Sequence, residues 1–188
     1  MSEKIPIRKS MLPHGPWADE PDEKVWEHEG LACVIVRGPF WSFNGYVGID
    51  VGHVLFGLNY GDKCPMLEEA REKLMALPAN SPKIGMGLLL QAMGGEIEPC
   101  PETMLRVHGG ITYAGGRCPD DPKERTGMWW FGFDTGHCND FAPGLYYNSP
   151  QVDYFRENTV YRDLAYVTQE VNELAEQLVR LDKLMSKN

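Results

Sequence analysis

The run Leu31-Ala32-Cys33-Val34-Ile35-Val36-Arg37, then Gly38-Pro39, then Phe40-Trp41-Ser42-Phe43-Asn44-Gly45-Tyr46-Val47-Gly48-Ile49, decides the fold class. Cys33 to Val36 is apolar at every position, so the spacing predicts a strand covered on both faces rather than one lying half in water. Gly38-Pro39 punctuates it. The aromatic and β-branched text that follows reads as the second arm of a hairpin. Val25–Glu29 is a further strand upstream, and Leu105–Tyr113 and Met128–Phe133 are strand candidates downstream, separated by the polar stretch Gly115–Gly127. Between the two groups, residues 50–64 form a glycine-rich loop holding His53. Pro65 is suited to open a helix over Met66–Leu77, and Ile84–Met93 reads as a second short helix stopped by Gly94-Gly95.

The C-terminal segment carries the clearest period. Leu164, Val167, Val171, Leu174, Leu178, Leu181 and Met185 recur at spacings of three and four, which makes one apolar stripe along a helix. Asn158 or Thr159 is expected as its N-cap. A stripe of this kind packs on its own sheet; the same heptad-like spacing leaves open a homo-oligomer joined through this helix. The fold class is therefore α+β: an antiparallel-rich mixed sheet with covering helices and a long amphipathic helix at the C-terminus.

At 188 residues, with 43% hydrophobic and 11% aromatic residues, the chain suits one domain with a sizeable core. Pro6, Pro13, Pro16 and Pro21 among charges predict a loosely held arm over 1–22, with the single domain over 23–188. A net charge of −9 disfavours bulk nucleic acid and anionic membranes as partners, while leaving room for a small anionic ligand met by a few aimed donors. The five cysteines are odd in number and lack CxxC spacing, no apolar leader stands at the N-terminus, and no apolar run reaches a membrane-spanning length. Reduced thiols in a cytoplasmic protein are expected.

Chemistry-bearing residues gather in the second half. Alternation along Leu105–Tyr113 sets Arg106, His108, Gly110 and Thr112 on one face, and alternation along the next strand sets Trp130, Gly132 and Asp134 together. With the two strands as neighbours, His108 and Asp134 share a wall, and Gly110 and Gly132 leave a notch in it. Immediately beyond comes Asp134-Thr135-Gly136-His137-Cys138-Asn139-Asp140. Three chemistries fit these residue types. His108, Asp134, His137 and Asp140 suit a divalent metal such as zinc or manganese with a position left for water. An aspartate–histidine pair suits general acid–base work without a metal. A binding pocket would use Arg106 and the Gly109-Gly110 amides for phosphate, Thr112 and the acidic groups for hydroxyls, and Trp129 or Trp130 under a base. His53 is a candidate to complete the site from its loop.

Phe43-Asn44-Gly45-Tyr46-Val47-Gly48 with His53, Val107-His108-Gly109-Gly110-Ile111-Thr112-Tyr113, and Trp129-Trp130-Phe131-Gly132-Phe133-Asp134 with His137 and Asp140 together resemble a family of small uncharacterised phage and prophage proteins. The resemblance covers about residues 25–180. The family pattern carries small residues and a glycine before the last aspartate, where this sequence has Thr135, Cys138 and Asn139. The resemblance implies a phage origin, hence a host-cell cytoplasm, and brings no activity with it. By analogy with small phage pocket proteins, it leads to the expectation of a protein that sequesters a small nucleotide-like or phosphorylated ligand, such as a host-defence signal. The alternative is a metal-dependent hydrolase acting on such a ligand through the His/Asp site.

Overall fold

Two tight turns build the first three strands. Glu29 and Gly30 sit at φ 52° and 80°, the positive pair that a two-residue hairpin of right-handed twist requires. They join β1 (Glu23–His28) to β2 (Leu31–Arg37). The second turn spends Pro39, Phe40 and Trp41, with the Gly38 amide donating to the Ser42 carbonyl (2.9 Å) and Trp41 at φ 64°. The third strand, β3, therefore starts at Phe43 rather than Phe40 and runs to Ile49. β4 (Tyr113–Gly115) and β5 (Trp129–Asp134) complete one sheet of order β1-β2-β3-β5-β4, antiparallel throughout. The computed structural model describes residues 8–12, 14–64, 67, 99–119, 121 and 123–186. The helices expected over Met66–Leu77 and Ile84–Met93 lie outside the described residues, Leu67 excepted.

Among the described residues, the α-helix α1 (Pro101–Met104) lies between β3 and β4, and α2 (Pro143–Tyr146), α3 (Val152–Asn158) and α4 (Leu164–Met185) follow β5. The first three are short and were not expected, having too few residues for a period to show. α4 lays Val167, Val171, Leu174, Leu178 and Leu181 against Cys33, Ile35, Phe43, Val47, Phe131 and Phe133. Its stripe is thus buried within the chain, and a dimer joined through it would require the helix to leave the sheet. At Gly45 a side chain would come within 2.5 Å of Val171, so the glycine is what lets helix and sheet approach this closely. Val34, Val36, Tyr46 and Trp130 form the opposite face, sealed by Cys118. No helix among the described residues is long and apolar enough to cross a membrane, and all five cysteines are free.

The start of α4 is tied down twice. Asp163, rather than Asn158 or Thr159, is the N-cap: its carboxylate accepts from the Tyr166 amide at 2.7 Å. Glu20, from the segment expected to hang loose, accepts from the Leu164 amide at 2.8 Å and also from Arg37 (2.9 Å) and the Tyr161 hydroxyl. Trp17 is buried between Phe141 and Tyr161, with ring centroids 5.4 and 5.2 Å away. The described part of the N-terminal segment is therefore fastened to the body. A carboxylate at the positive end of a 22-residue helix is favourable for the dipole as well as for the hydrogen bond.

His53 fastens the other end of α4. Its Nδ1 accepts from the Leu55 amide (3.1 Å), its Nε2 donates to the Leu178 carbonyl (3.1 Å), and the neighbouring Val54 amide donates to Asp182 (3.1 Å). Burial holds the imidazole below its ordinary value of 6.5, against the opposing pull of the Leu178 carbonyl and Asp182. Below pH 6.5 the unfolded chain takes up a proton that the fold resists, so His53 contributes its full stability above 6.5 and loses it as pH falls through the lowered value. Denaturant midpoints measured from pH 8 to pH 5 should decline for the wild type through this window. His53→Gln should start lower at pH 8 and lack that part of the slope; an unchanged slope would remove His53 as its source.

Candidate metal centre

Leu105–Tyr113 is a loop for most of its length, and this departure makes the site. Gly109 and Gly110 take φ 68° and 94°, and the Gly110 amide donates to the Val107 carbonyl at 3.1 Å, so the chain turns where a strand would have continued. Leu105, Val107 and Ile111 still enter the core as the alternation predicts. His108, at the head of the turn, is drawn toward α4: its amide donates to Glu170 Oε2 at 2.8 Å. A side chain at Gly109 would come within 2.0 Å of the His137 ring, so this glycine also lets the two histidines approach. Their ring centroids are 5.2 Å apart.

Asp140 gathers them. It follows β5 and is held by a parallel bridge to Val160, in which the Val160 amide donates to the Asn139 carbonyl (3.0 Å) and the Phe141 amide to the Val160 carbonyl (2.9 Å). That bridge brings Arg162 alongside. Asp140 Oδ2 accepts from His108 Nε2 at 2.7 Å and the His137 amide at 3.2 Å, and lies 3.3 Å from His137 Nδ1; Oδ1 accepts from Arg162 Nε at 2.8 Å. The side chain is 1% exposed. Burial alone would raise its carboxyl. The hydrogen bonds from His108 and Arg162, the His108 charge and the His137 amide outweigh burial and hold it far below the usual carboxylate range.

His108, His137 and Asp140 each offer one ligand atom, all within 4.8 Å of one another. The far sides of His108 and Asp140 are hydrogen-bonded, and that of His137 faces Asp134 at a longer distance. His108 Nδ1 meets the Tyr166 hydroxyl at 3.0 Å, Asp140 Oδ1 meets Arg162, and His137 Nε2 lies 3.9 Å from Asp134 Oδ1. Tyr166 is pushed up to about 12 by burial and by the charge and hydrogen bond of Glu170, so it stays a neutral hydroxyl between Glu170 and His108. With both ring nitrogens of His108 engaged, a metal-free general base would first have to break one of these bonds. A cation at Nε2 instead replaces its proton and leaves Nδ1–H, Tyr166 O–H and Glu170 in donor-to-acceptor order, the support that ligating histidines usually have.

Several expected members stand elsewhere. Asp134 pairs with Thr112, whose hydroxyl donates to it at 3.1 Å, and with the Gly136 amide at 3.0 Å; it lies behind His137 rather than beside His108. The notch over Gly132 is filled, because a side chain there would come within 2.3 Å of Tyr46. Gly132 is the space in which the Tyr46 and Tyr113 rings meet edge to face at 5.6 Å. Trp130 is 0% exposed, with the Arg125 guanidinium 4.8 Å over its ring, and so offers no surface to a base. Trp129 donates to the Leu58 carbonyl (2.8 Å) at the far end of β5, about 16 Å from Asp134 at strand rise. The Arg106 backbone is clamped by Gln177, with two bonds of 2.8 Å. Arg106 and His53 thus join α4 roughly 16–18 Å along its axis from Tyr166. The residues that sequence reading missed are Arg162, Tyr166 and Glu170.

No family model matches the chain, and no curated protein or solved structure is significantly similar to it.

Removing Asp140 strands an arginine and a histidine in a largely closed site. Asp140→Ala should lower stability by about 3 kcal/mol, the scale for breaking a buried ion pair, whereas Asp134→Ala should cost about 1 kcal/mol or less, as partly exposed contacts do. Urea denaturation reads both, and near-equal losses would contradict the hub role.

Proposed function

We propose that the chain is a metal-dependent hydrolase in which His108, His137 and Asp140 hold one divalent ion of the zinc or manganese class. The observation that carries this reading is that three ligand atoms converge and two of the three residues have their opposite side hydrogen-bonded to a partner, His108 to Tyr166 and Asp140 to Arg162. Outer partners of this kind are what orient ligating histidines and carboxylates. To admit an ion, the three ligand atoms, which lie within 4.8 Å of one another, would have to draw closer around it. With bonds near 2.0–2.2 Å, two ligands of one ion sit about 3 Å apart; the His137–Asp140 distance is already 3.3 Å, and the His108–Asp140 distance of 2.7 Å would open slightly.

Two histidines and one carboxylate leave coordination positions for water and substrate. A zinc ion held by His108, His137 and Asp140 would supply Lewis acidity and an activated water near neutral pH. His137, 35% exposed, marks the side from which substrate would reach it. Sequestration of a nucleotide-like ligand on stacked tryptophans has less to support it, given the buried Trp130 and the filled space at Gly132. The phage resemblance adds a setting, the cytoplasm of an infected cell.

Titration calorimetry with zinc and manganese on chelator-treated protein should give one site per chain. His108→Ala and His137→Ala should abolish it, and Tyr166→Phe should weaken it by about 10–100-fold, as loss of an outer partner does. Absence of binding by the wild type, or full binding by both alanine variants, would overturn the assignment.

A further inference from the structure

Arg162 has a second use that its bond to Asp140 leaves open. Only Nε donates to the carboxylate, at 2.8 Å; the two Nη groups make no hydrogen bond to a described residue. The guanidinium is nonetheless fixed. Its carbon lies 4.9 Å from the centre of the Tyr166 ring, and the residue stands directly before the capped start of α4. The side chain is 24% exposed, enough to be reached from solvent. Two residues after His108, Gly110 has open space where a side chain would project. A planar donor pair, immobilised next to three candidate ligands, is a preorganised receptor for a small oxyanion.

We infer that the substrate of the site is a small phosphate ester, held with its phosphoryl oxygens shared between the bound ion and the Nη groups of Arg162. This rests on the metal-centre reading above. A carboxylate has two oxygens, enough for the ion and one Nη group but not for both Nη groups as well. A phosphate monoester has three free oxygens and can engage all three at once. Arg162 then does two jobs with one group, since Nε holds Asp140 toward the ion while the Nη pair receives the anion. A chain of net charge −9 still admits such a ligand, because two fixed donors and a divalent ion outweigh the distant surface charge at contact range.

The test uses manganese-loaded full-length protein, inorganic phosphate as probe and acetate as comparison, read by the broadening that bound manganese imposes on the phosphate phosphorus resonance. Metal affinity is measured first by calorimetry. Arg162→Lys keeps a cation for Asp140 and loses the fork. With manganese raised until it saturates each protein, the substitution should weaken phosphate at least tenfold. Wild-type protein should bind phosphate more tightly than acetate. Manganese bound normally with no phosphate broadening, with equal broadening in Arg162→Lys, or with acetate bound as well as phosphate, would overturn the phosphate inference and leave the metal centre standing. Failure of the wild type to bind manganese would sink the metal centre instead. Phosphate titrated into the metal-free protein then decides Arg162 alone: shifts lost in Arg162→Lys keep it as an anion site, and no shifts reject it.

Discussion

A single carboxylate with almost no contact with water joins three parts of the chain. Asp140 takes hydrogen bonds from His108 in the glycine turn, from His137 in its own loop and from Arg162 before the long helix. Burying a charge is costly unless donors surround it, so these segments are held to one another by the need to satisfy one anion. The same requirement orients the site. A carboxylate with a donor on each side has little freedom to turn, and neither do the histidines it holds.

The rest of the fold supplies this junction with fixed walls. Pairing of β3 with β5 brings Asp134 to the end of the sheet, and the loop after it doubles back to Val160. α4 contributes from the other side through Tyr166 and Glu170, and its own position is set by apolar packing along the sheet, by Glu20 at its start and by His53 farther along. Glu170 is 1% exposed and faces the core among Val167, Val171 and Leu174. Its carboxylate is accommodated there because the His108 amide and the Tyr166 hydroxyl meet it. Core packing and site geometry are therefore continuous through one helix.

Much of this was legible in the sequence for reasons that are local. Strand and helix periods are set by which side chains must be buried, so β2, β3, β5 and α4 could be read from residue type and apolar spacing, and the β2–β3 hairpin from Gly38-Pro39, whereas Glu29, read as strand, stands in the turn before β2. His108, His137 and Asp140 stood out as residue types that need partners. What spacing could not carry was the path of Leu105–Tyr113, where two successive glycines adopt conformations outside the strand region. Reading that stretch as extended put His108 beside Asp134; the turn sends it to Asp140. The glycine at 132 makes space for a neighbouring ring rather than for a ligand, a distinction that depends on Tyr46 from another strand. Arg162 and Tyr166 left no local mark. Glu170 did, as an acidic residue on the apolar stripe three residues after Val167 and four before Leu174, and a charge in that place calls for a polar site beneath it.

The most direct measurement is anomalous diffraction from crystals of the protein grown with manganese. The account predicts one peak about 2.0–2.2 Å from His108 Nε2, Asp140 Oδ2 and a ring nitrogen of His137, with Asp134 and Arg162 outside the ligand set. A peak held by other residues, or none while His108 and Asp140 remain in direct contact, would contradict it.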